Sequence, residues 1–526
     1  MTLVLVEAAK NIRTVTEERR NPPLPDRKLI VQTKQKQIFN TELIIMEQNN
    51  FDVIVVGAGP GGYVAAIRAS QLGFNTAVVE RAELGGVCLN WGCIPTKALL
   101  KSAQVLNYTK HLGDYGIELQ DAEGNQVEAG AVAAMPDIKK IVERERGVSA
   151  TMSKGIEFLF KKNKITVIKG SAYLPAVGKV EVTYNEGEKE GTKEVFEAKH
   201  IILATGARPN ALPFAPIDGE KIISYRQALV PETLPKSMAV IGSGAIGSEL
   251  AFFYRSMGVE VHLIEYMDQI VPLEDADVAA QLSRSFRKMG IKVMVSSGVK
   301  AIDTTGEGCK LTVETKKGVE EIVVDRVLSA VGVVPNTQGL GLEELGVELN
   351  RGKVVVDQFY KTNVEGIYAI GDIIATPALA HVASAEGIAA VEKIAGMDVE
   401  PVDYSNIPGA TYTSPEIASV GMTEKKVKEA GIAYKVGKFP FTASGKATTA
   451  GEKDGFVKLI IDEQTDKILG AHLIGANVTE MLSGIVLARR IGATAKDIIK
   501  AIHPHPTMSE GIMEAAAAVH GEAIHM

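Results

Sequence analysis

The sequence predicts an α/β protein with two similar doubly wound domains, followed by a C-terminal α+β domain. A glycine-rich strand–turn–helix–strand unit occurs twice, at residues 51–80 and 238–265. The residues after 402 combine a hairpin pattern with apolar helices. The length of 526 residues exceeds what one hydrophobic core supports, and a content of 46% hydrophobic and 23% charged residues is typical of a folded protein.

The two glycine-rich units read FDVIVVGAGPGGYVAAIRASQLGFNTAVVE and MAVIGSGAIGSELAFFYRSMGVEVHLIE, each a buried strand, a turn, a helix and a second strand ending in glutamate. The first glycine of such a turn permits the bend, the second lets the backbone approach a pyrophosphate, and the third lets helix pack on strand. The helix N-terminus binds the pyrophosphate, and the acid accepts from a ribose hydroxyl. We therefore predict two Rossmann-like dinucleotide-binding domains. The residues concerned are Gly57, Gly59, Gly62 and Glu80 in the first unit, and Gly242, Gly244, Gly247 and Glu265 in the second.

The second unit favours NAD over NADP. The residues after Glu265 read YMDQIVP and include no arginine or lysine that would accept a 2′-phosphate. The Glu265 carboxylate would itself repel that group. Ala245, at the second turn, leaves the entry of a nicotinamide free of a bulky ring.

A stretch after the first unit, GGVCLNWGCIPTKALL, holds two of the chain's three cysteines, Cys88 and Cys93. The helical run with Pro95 in its first turn places them at a helix N-terminus, which lowers a thiol pKa. Because the pair follows the first unit directly, we expect a flavin there: a dithiol can pass two electrons to it, and the second site can take a hydride. Zinc would need two further ligands that the sequence does not offer, so we predict no metal site. Cys309, in GEGCKLTV, has no comparable setting, and we expect no chemical role for it.

Near the C-terminus, HPHPTMSEGIMEAA contains His503, His505 and Glu510; His505 and Glu510 are candidates for an acid–base site, and we expect His503 to be an ordinary loop residue. A dithiol must lose a proton to attack a disulfide, and histidine is the side chain best suited to take it near pH 7. The two neighbouring His-Pro bonds favour a cis peptide at one of them.

Composition excludes several classes of protein. A formal net charge of −7 argues against nucleic acid as a partner, and no apolar run reaches the length of a membrane span. Three cysteines are too few for a secreted disulfide framework, which favours the cytoplasm. Residues 1–50 mix charges and prolines, and we expect either a poorly ordered extension or a true start at Met46; neither a signal nor a transit peptide is predicted.

Together with TNVEGIYAIGD and ILATGARP, these motifs resemble the flavin-dependent pyridine nucleotide–disulfide oxidoreductases from residue 51 to the C-terminus. The resemblance implies an FAD domain at 51–212 that is completed by 336–402, an NAD domain at 213–335 and a dimerisation domain at 403–526. In this family the base of one protomer acts on the cysteine pair of its partner, so a homodimer is implied.

The resemblance also implies roles for individual residues. Cys88 and Cys93 form a redox-active disulfide, in which Cys88 exchanges with a dithiol substrate and Cys93 contacts the flavin as a thiolate. Lys97 lies beside the flavin and pairs with Glu249. His505, directly before Pro-Thr, is the base, and Glu510 orients it. The other implied contacts are Ala172, Thr205, Gly206, Asp372 and Ala380 with FAD, and Val299 and Gly332 with NAD.

The implied activity is the NAD-dependent oxidation of dihydrolipoamide, carried by a lipoylated acyltransferase or an H-protein; the multienzyme complex that is served stays open. One alternative is a glutathione or mercuric reductase. Glu265 speaks against an NADP-dependent glutathione reductase, and the ending HGEAIHM lacks the cysteine pair of mercuric reductases. A docking subunit without catalysis is a second alternative, disfavoured by the intact Cys88, Cys93 and His505.

Overall fold

The computed structural model of the chain describes residues 49–120, 124, 126–127 and 134–526. The predicted N-terminal extension, apart from residues 49–50, and the alternative start at Met46 lie outside the described residues.

The first region forms a mixed sheet with helices packed on it. β1, β2 and β5 are parallel neighbours, and β5, β6 and β7 continue antiparallel. A 3-10 turn lies at Leu112–Tyr115. The elements are β1 (Asn50–Val56), α1 (Pro60–Gln71), β2 (Thr76–Glu80), α2 (Gly86–Asn90), α3 (Cys93–Thr109), β3 (Leu119–Gln120), β4 (Gln126–Val127), α4 (Ile138–Lys162), β5 (Thr166–Ala176), β6 (Lys179–Tyr184), β7 (Lys193–Leu203) and β8 (Ala207–Pro209).

The second region holds a parallel sheet in the order β12-β11-β10-β16-β9 and an antiparallel sheet of β13, β14 and β15. Strand β8 pairs antiparallel with β17, so the chain enters and leaves this region through one ribbon. The elements are β9 (Ile222–Ile223), α5 (Tyr225–Leu229), β10 (Ser237–Ile241), α6 (Ala245–Ser256), β11 (Glu260–Ile264), α7 (Ala276–Met289), β12 (Lys292–Met294), β13 (Gly298–Asp303), β14 (Cys309–Thr315), β15 (Gly318–Val324), β16 (Arg326–Ser329) and β17 (Val333–Pro335).

The chain then returns to the first sheet. Strand β20 pairs parallel with β7, and a 3-10 turn at Gly371–Ile373 leads towards helix α8, which packs on α1. The elements are β18 (Leu349–Asn350), β19 (Lys353–Val354), β20 (Ile367–Ala369) and α8 (Ala380–Ile394).

The C-terminal region forms an antiparallel sheet in the order β21-β22-β25-β24-β23, and the predicted hairpin is β24–β25. Two more 3-10 turns lie at Tyr404–Asn406 and Phe441–Ala443. The elements are β21 (Pro408–Thr411), β22 (Glu416–Gly421), α9 (Glu424–Glu429), β23 (Tyr434–Pro440), α10 (Gly445–Ala450), β24 (Phe456–Asp462), β25 (Ile468–Gly475), α11 (Val478–Arg490), α12 (Ala495–Lys500) and α13 (Glu510–Val519).

The strands that carry the two glycine turns are continuous apolar runs because both faces of each sheet are covered. Val53, Ile54 and Val55 in β1 are fully buried, and so are Met238 and Ala239 in β10. The predicted class, two Rossmann-like domains and a C-terminal α+β domain, is confirmed. The predicted domain boundaries at 212, 335 and 402 stay predictions.

Candidate active site

The first glycine turn is built for close backbone contact. Gly57 has a φ of +104°, and a Cβ on it would lie 2.3 Å from the Ala204 oxygen. A Cβ on Gly62 would lie 1.9 Å from the Gly57 oxygen, so helix α1 packs directly on the turn. Gly59 caps α1 and faces open space, with nothing within 4 Å of a Cβ position. That space in front of free helix N–H groups fits a pyrophosphate.

The second glycine turn repeats this geometry. Gly242 has a φ of +94°, and its Cβ would lie 2.5 Å from the Ala330 oxygen. A Cβ on Gly247 would lie 1.9 Å from the Gly242 oxygen, and Gly244 caps α6 with open space before it. The residues present therefore fit two dinucleotides.

The glutamate of each unit accepts hydrogen bonds from the glycine turn of that unit. Glu80, the last residue of β2, accepts from the backbone N–H of Ala58 at 2.7 Å. Glu265 accepts from the Ser243 N–H at 2.9 Å and from the Ser243 hydroxyl at 2.6 Å. The prediction that the second strand ends in Glu265 is wrong by one residue: β11 ends at Ile264, and Glu265 follows it with its side chain bonded to the turn.

The cysteines sit in two consecutive helices. Cys88 lies in α2 and Cys93 is the first residue of α3, whose third residue is Pro95 as expected. Both cysteines are free thiols in this structure, which is the reduced form of a redox-active pair, and the Cys88–Cys93 disulfide stays a prediction. The hydrogen bond between them raises the pKa of Cys88, and burial adds to this. The same bond lowers the pKa of Cys93, and the Lys97 ammonium lowers it further, while burial raises it. The net effect is a lower pKa, so the negative charge of the reduced pair lies on Cys93.

Asn90 holds the segment that carries Cys88. Its side-chain amide donates to the carbonyls of Leu84 and Gly86, both at 3.0 Å. The Ser153 hydroxyl, from α4, donates to the Asn90 side-chain oxygen at 2.9 Å. These bonds anchor helix α2 to α4.

The expected contact between Lys97 and Glu249 is present. The Lys97 Nζ lies 2.8 and 3.0 Å from the two carboxylate oxygens, and Glu249 is buried in α6. Tyr412, next to β21, places its ring centroid 4.4 Å from Nζ and donates its backbone N–H to Glu249 at 2.8 Å. Three regions of the chain therefore meet beside Cys93.

His505 and Glu510 form the expected pair. The His505 Nδ1 lies 2.8 Å from Oε1 of Glu510, and the Thr507 N–H donates to Oε2 of the same carboxylate at 2.8 Å. Burial would raise the pKa of Glu510, but these bonds lower it. The His505 ring is 77% exposed and, within the described residues, makes no hydrogen bond or ion pair to either active-site cysteine. The expected cis peptide occurs at His505–Pro506.

The other flavin candidates are spread over three segments. Thr205 and Gly206 bond to Asn336 across the β8–β17 ribbon, at 2.7 and 2.9 Å. Burial raises the pKa of Asp372, which lies in the 3-10 turn before α8. Ala380 begins α8 and leaves its N–H free of the helix ladder.

Like the other cofactor contacts, the assignments of Ala172, Val299 and Gly332 stay predictions. Ala172 lies in β5 opposite Val182. Val299 lies beside a register shift in β13, and Gly332, with a φ of +96°, accepts from the Asn210 N–H at 3.0 Å.

Comparison with known proteins defines the class of this protein. Residues 51–387 match the pyridine nucleotide–disulphide oxidoreductase family, and residues 407–516 match the dimerisation domain of that family. The chain belongs to the pyridine nucleotide–disulphide oxidoreductases. The second match supports a homodimer.

Individual members of this family are similar to the chain over most of its length. Dihydrolipoyl dehydrogenase of Rhizobium etli is 48% identical over 491 residues, covering 90% of this chain and 99% of that protein. The mitochondrial dihydrolipoyl dehydrogenase of Pisum sativum is 43% identical, covering 90% and 92%. Leghemoglobin reductase of Glycine max is 43% identical, covering 89% and 87%. The crystal structure of LpdA from Mycobacterium tuberculosis superposes with a TM-score of 0.79 at 28% identity, covering 88% of this chain and 98% of that one.

In the part of the chain that the structure describes, no helix combines the length and apolar character that crossing a membrane requires.

Sequence reasoning missed several residues that shape the site. Asn90, Ser243 and Tyr412 hold Cys88, Glu265 and Lys97 in place. The buried Glu386 accepts from the Gly371 N–H at 2.6 Å and so fixes the turn that carries Asp372. Ser243 could have been found from its position inside the second glycine turn, and Asn90 from its position between the two cysteines. Tyr412 and Glu386 are distant in sequence from the residues they hold.

Proposed function

We propose that the chain oxidises protein-bound dihydrolipoamide to lipoamide and reduces NAD+, the dihydrolipoyl dehydrogenase reaction. The observation that carries the proposal is the hydrogen-bonded pair of Cys88 and Cys93 behind the first glycine turn, with the negative charge on Cys93. Identity of 48% to the Rhizobium etli enzyme over 90% of the chain supports the same reaction. The cofactors are FAD at the first unit and NAD at the second.

His505 starts the reaction by accepting a proton from one thiol of the substrate. The Glu510 carboxylate bonds to Nδ1, which leaves Nε2 to accept the proton and stabilises the imidazolium that forms. The exposed ring supports action on the cysteine pair of the second protomer. Both active sites of a homodimer would then need both chains.

The sulfur steps follow from the unequal pKa values of the two cysteines. The substrate thiolate attacks Cys88 Sγ in the Cys88–Cys93 disulfide, and the S–S bond breaks with its electron pair on Cys93. Lys97 stabilises that thiolate. The second substrate thiol loses its proton and attacks the mixed disulfide, which releases lipoamide and leaves Cys88 as a thiol.

FAD, when bound, supplies the chemistry that joins a two-electron thiol oxidation to hydride transfer. The chain's part is to hold the two dinucleotides: Gly59 and Gly244 admit their pyrophosphates, and Glu265 selects against a 2′-phosphate.

We assign the lipoyl group to a lipoylated acyltransferase or an H-protein of a multienzyme complex, and we place the enzyme in the cytoplasm. A low cysteine count supports the location. A glutathione or mercuric reductase and a docking subunit without catalysis are the alternatives.

A turnover assay with dihydrolipoamide and NAD+ tests the proposal. We expect steady NADH production, its loss in Cys88→Ser, and a fall of about 10²–10⁴-fold in His505→Gln. His503→Gln is the matched control, because His503 bonds only to the nearby Ala501 carbonyl among the described residues. A folded, flavin-loaded protein that is inactive with dihydrolipoamide would contradict the proposal, and activity with glutathione disulfide instead would favour the reductase alternative.

A further inference from the structure

The chain has a single tryptophan, and it lies between the two active-site cysteines. Trp91 is the C-cap of α2 and donates its backbone N–H to the Val87 carbonyl at 2.7 Å. Two guanidinium groups lie over its ring, with Cζ of Arg146 at 4.5 Å and Cζ of Arg226 at 5.0 Å from the centroid. The indole N–H is buried and has no hydrogen-bond partner among the described residues. The ring is therefore held through its face and not through its N–H.

The two arginines come from different dinucleotide-binding regions. Arg146 belongs to α4 of the first region, and Arg226 belongs to α5, which directly follows β9 of the second sheet. The contact thus ties the segment between the cysteines to both regions.

Arg146 is itself fixed by strong partners. It donates to the Asn90 carbonyl at 2.7 Å and forms an ion pair with Glu145, whose side chain is fully buried. A buried carboxylate needs such a partner, and this ion pair together with the bond to Asn90 holds the guanidinium over the ring. The Trp91 ring consequently packs against a rigid cation.

Fixing the segment affects the thiol–disulfide equilibrium. Closing a disulfide between two thiols of one chain depends on how often the two sulfur atoms meet in bonding geometry. The segment from Cys88 to Cys93 joins two helices through Gly92, whose φ of −145° and ψ of −112° lie outside both helical and strand conformations. A segment of that kind depends on outside contacts to hold one conformation.

We propose that the Arg146–Trp91–Arg226 stack is a positioning device that holds the Cys88–Cys93 segment and favours closure of its disulfide. The inference rests on the proposed function, which makes this pair redox-active. Trp91 and the two arginines act through the cysteines and touch neither substrate nor cofactor in this account.

Equilibration of the flavin-loaded enzyme with glutathione buffers measures closure directly. Oxidised glutathione takes two electrons, the two cysteine thiols release two protons, the Cys88–Cys93 bond forms, and two glutathione thiols are released. Rapid alkylation followed by mass spectrometry then counts the fraction of closed pairs. We expect Trp91→Leu to lower the closure constant about tenfold, equivalent to about 30 mV, because both cation–π contacts are lost.

Graded variants separate positioning from general destabilisation. Trp91→Phe keeps an aromatic face and should recover most of the loss, while Arg146→Gln and Arg226→Gln should each lower closure about threefold. Arg144→Gln is the matched control from the same helix. Arg144 donates to the Ala98 carbonyl and, among the described residues, makes no cation–π contact with Trp91, so closure should stay at the wild-type value.

A double-mutant cycle decides whether the arginines act through the ring. In a Trp91→Leu background, Arg226→Gln should have no further effect on closure. Equal closure in wild type, Trp91→Leu and Trp91→Phe would overturn the inference while leaving the proposed function intact. A wild-type pair that never closes in any glutathione buffer would instead overturn the proposed function.

Discussion

The two glycine-turn units share one geometry and differ in what lies over it. In both, a helix packs on the first glycine with no room for a Cβ, and in both the acid bonds to the residue after that glycine. In both, a later segment returns and donates a backbone N–H to the turn: Gly85 to Ala58 at 2.9 Å, and Val271 to Ser243 at 3.1 Å.

The two returning segments differ in their packing and in the residues they carry. Behind the first turn, Gly86 lies so close that its Cβ would meet the Gly59 Cα at 2.7 Å, and the chain runs directly into the cysteine helices. Behind the second turn, Tyr266 and Leu273 are 77% and 87% exposed. The returning segment of the first unit thus packs on its glycine turn and continues into the cysteine pair, while that of the second unit carries exposed apolar side chains and no cysteine. The glycine turn defines a dinucleotide, and its surroundings define the role of that dinucleotide.

The largest expected effect comes from filling the helix–turn contact in each unit. A Cβ on Gly62 or Gly247 would lie 1.9 Å from a carbonyl oxygen, so each alanine variant forces the helix away from its turn at a cost of about 3 kcal/mol. Gly62→Ala should purify without flavin. Gly247→Ala should keep its flavin, measured by its visible absorbance, and lose NADH binding, measured by titration.

Gly59→Ala and Gly244→Ala are the matched controls, because neither Cβ meets protein within 4 Å. They should retain the thermal stability of the wild type and still weaken the dinucleotide of their own unit. If Gly247→Ala lost flavin as readily as Gly62→Ala, the assignment of the two cofactors to the two units would be wrong.

A second test uses the ion pair that joins the two units. Lys97 follows the cysteines of the first unit, and Glu249 lies on the glycine-turn helix of the second. Because the Lys97 ammonium helps to lower the pKa of Cys93 to about 7, Lys97→Met should raise that pKa by about one unit, which reduces the thiolate fraction at pH 7 about fivefold. The rate of Cys93 alkylation against pH measures it, with Lys101→Met, one turn further along, as control. An unchanged pH profile would show that Lys97 does not stabilise the Cys93 thiolate.

A third test compares Glu265 with Glu80 through the preference of the enzyme for NAD+ over NADP+. Glu265→Gln removes the charge that opposes a 2′-phosphate, and the ratio of kcat/KM for NAD+ to that for NADP+ should fall about tenfold. Glu80→Gln changes the equivalent acid of the first unit and should leave this ratio at its wild-type value. A similar fall of this ratio in both variants would contradict the assignment of the nicotinamide nucleotide to the second unit alone.

The smallest expected effect concerns how the second unit is anchored. Lys458, buried in β24, pairs with Asp275 at the start of α7 at 2.8 Å and with Glu424 at 2.7 Å. Hydrogen bonds from Lys428 and then Lys458 lower the pKa of Glu424 from 4.5 to about 2. The stability that Glu424 contributes is therefore complete above pH 4.5 and is lost as the pH falls towards 2.

Glu424→Gln should lower the thermal midpoint of unfolding at pH 7 by about 3 °C. The difference from the wild type should shrink as the pH falls from 4.5 to 2. Glu429→Gln, at the end of the same helix, serves as the control with an expected shift near zero. A difference that persisted unchanged at low pH would show that the charge of Glu424 does not stabilise the fold.

The sequence carries much of the fold and of the site because its signals are local. Glycine spacing, the helix start at Cys93 and the His505–Glu510 spacing each act within a short stretch of chain. Contacts that join distant segments leave no such pattern: nothing near Tyr412 indicates that it lies over Lys97, and nothing near Arg226 indicates Trp91. The oxidation state of Cys88 and Cys93 also leaves no pattern in the sequence, because the same residues can form either the disulfide or the two thiols found here.

The central claim is that Cys93 passes electrons to a flavin held at the first glycine turn. Anaerobic titration of the purified protein with dihydrolipoamide, followed by visible absorbance, tests it most directly. We predict a new long-wavelength band after two electrons per chain, from the Cys93 thiolate beside the flavin, and its absence in Cys93→Ser. Bleaching of the flavin absorbance without that band in the wild type would contradict the claim.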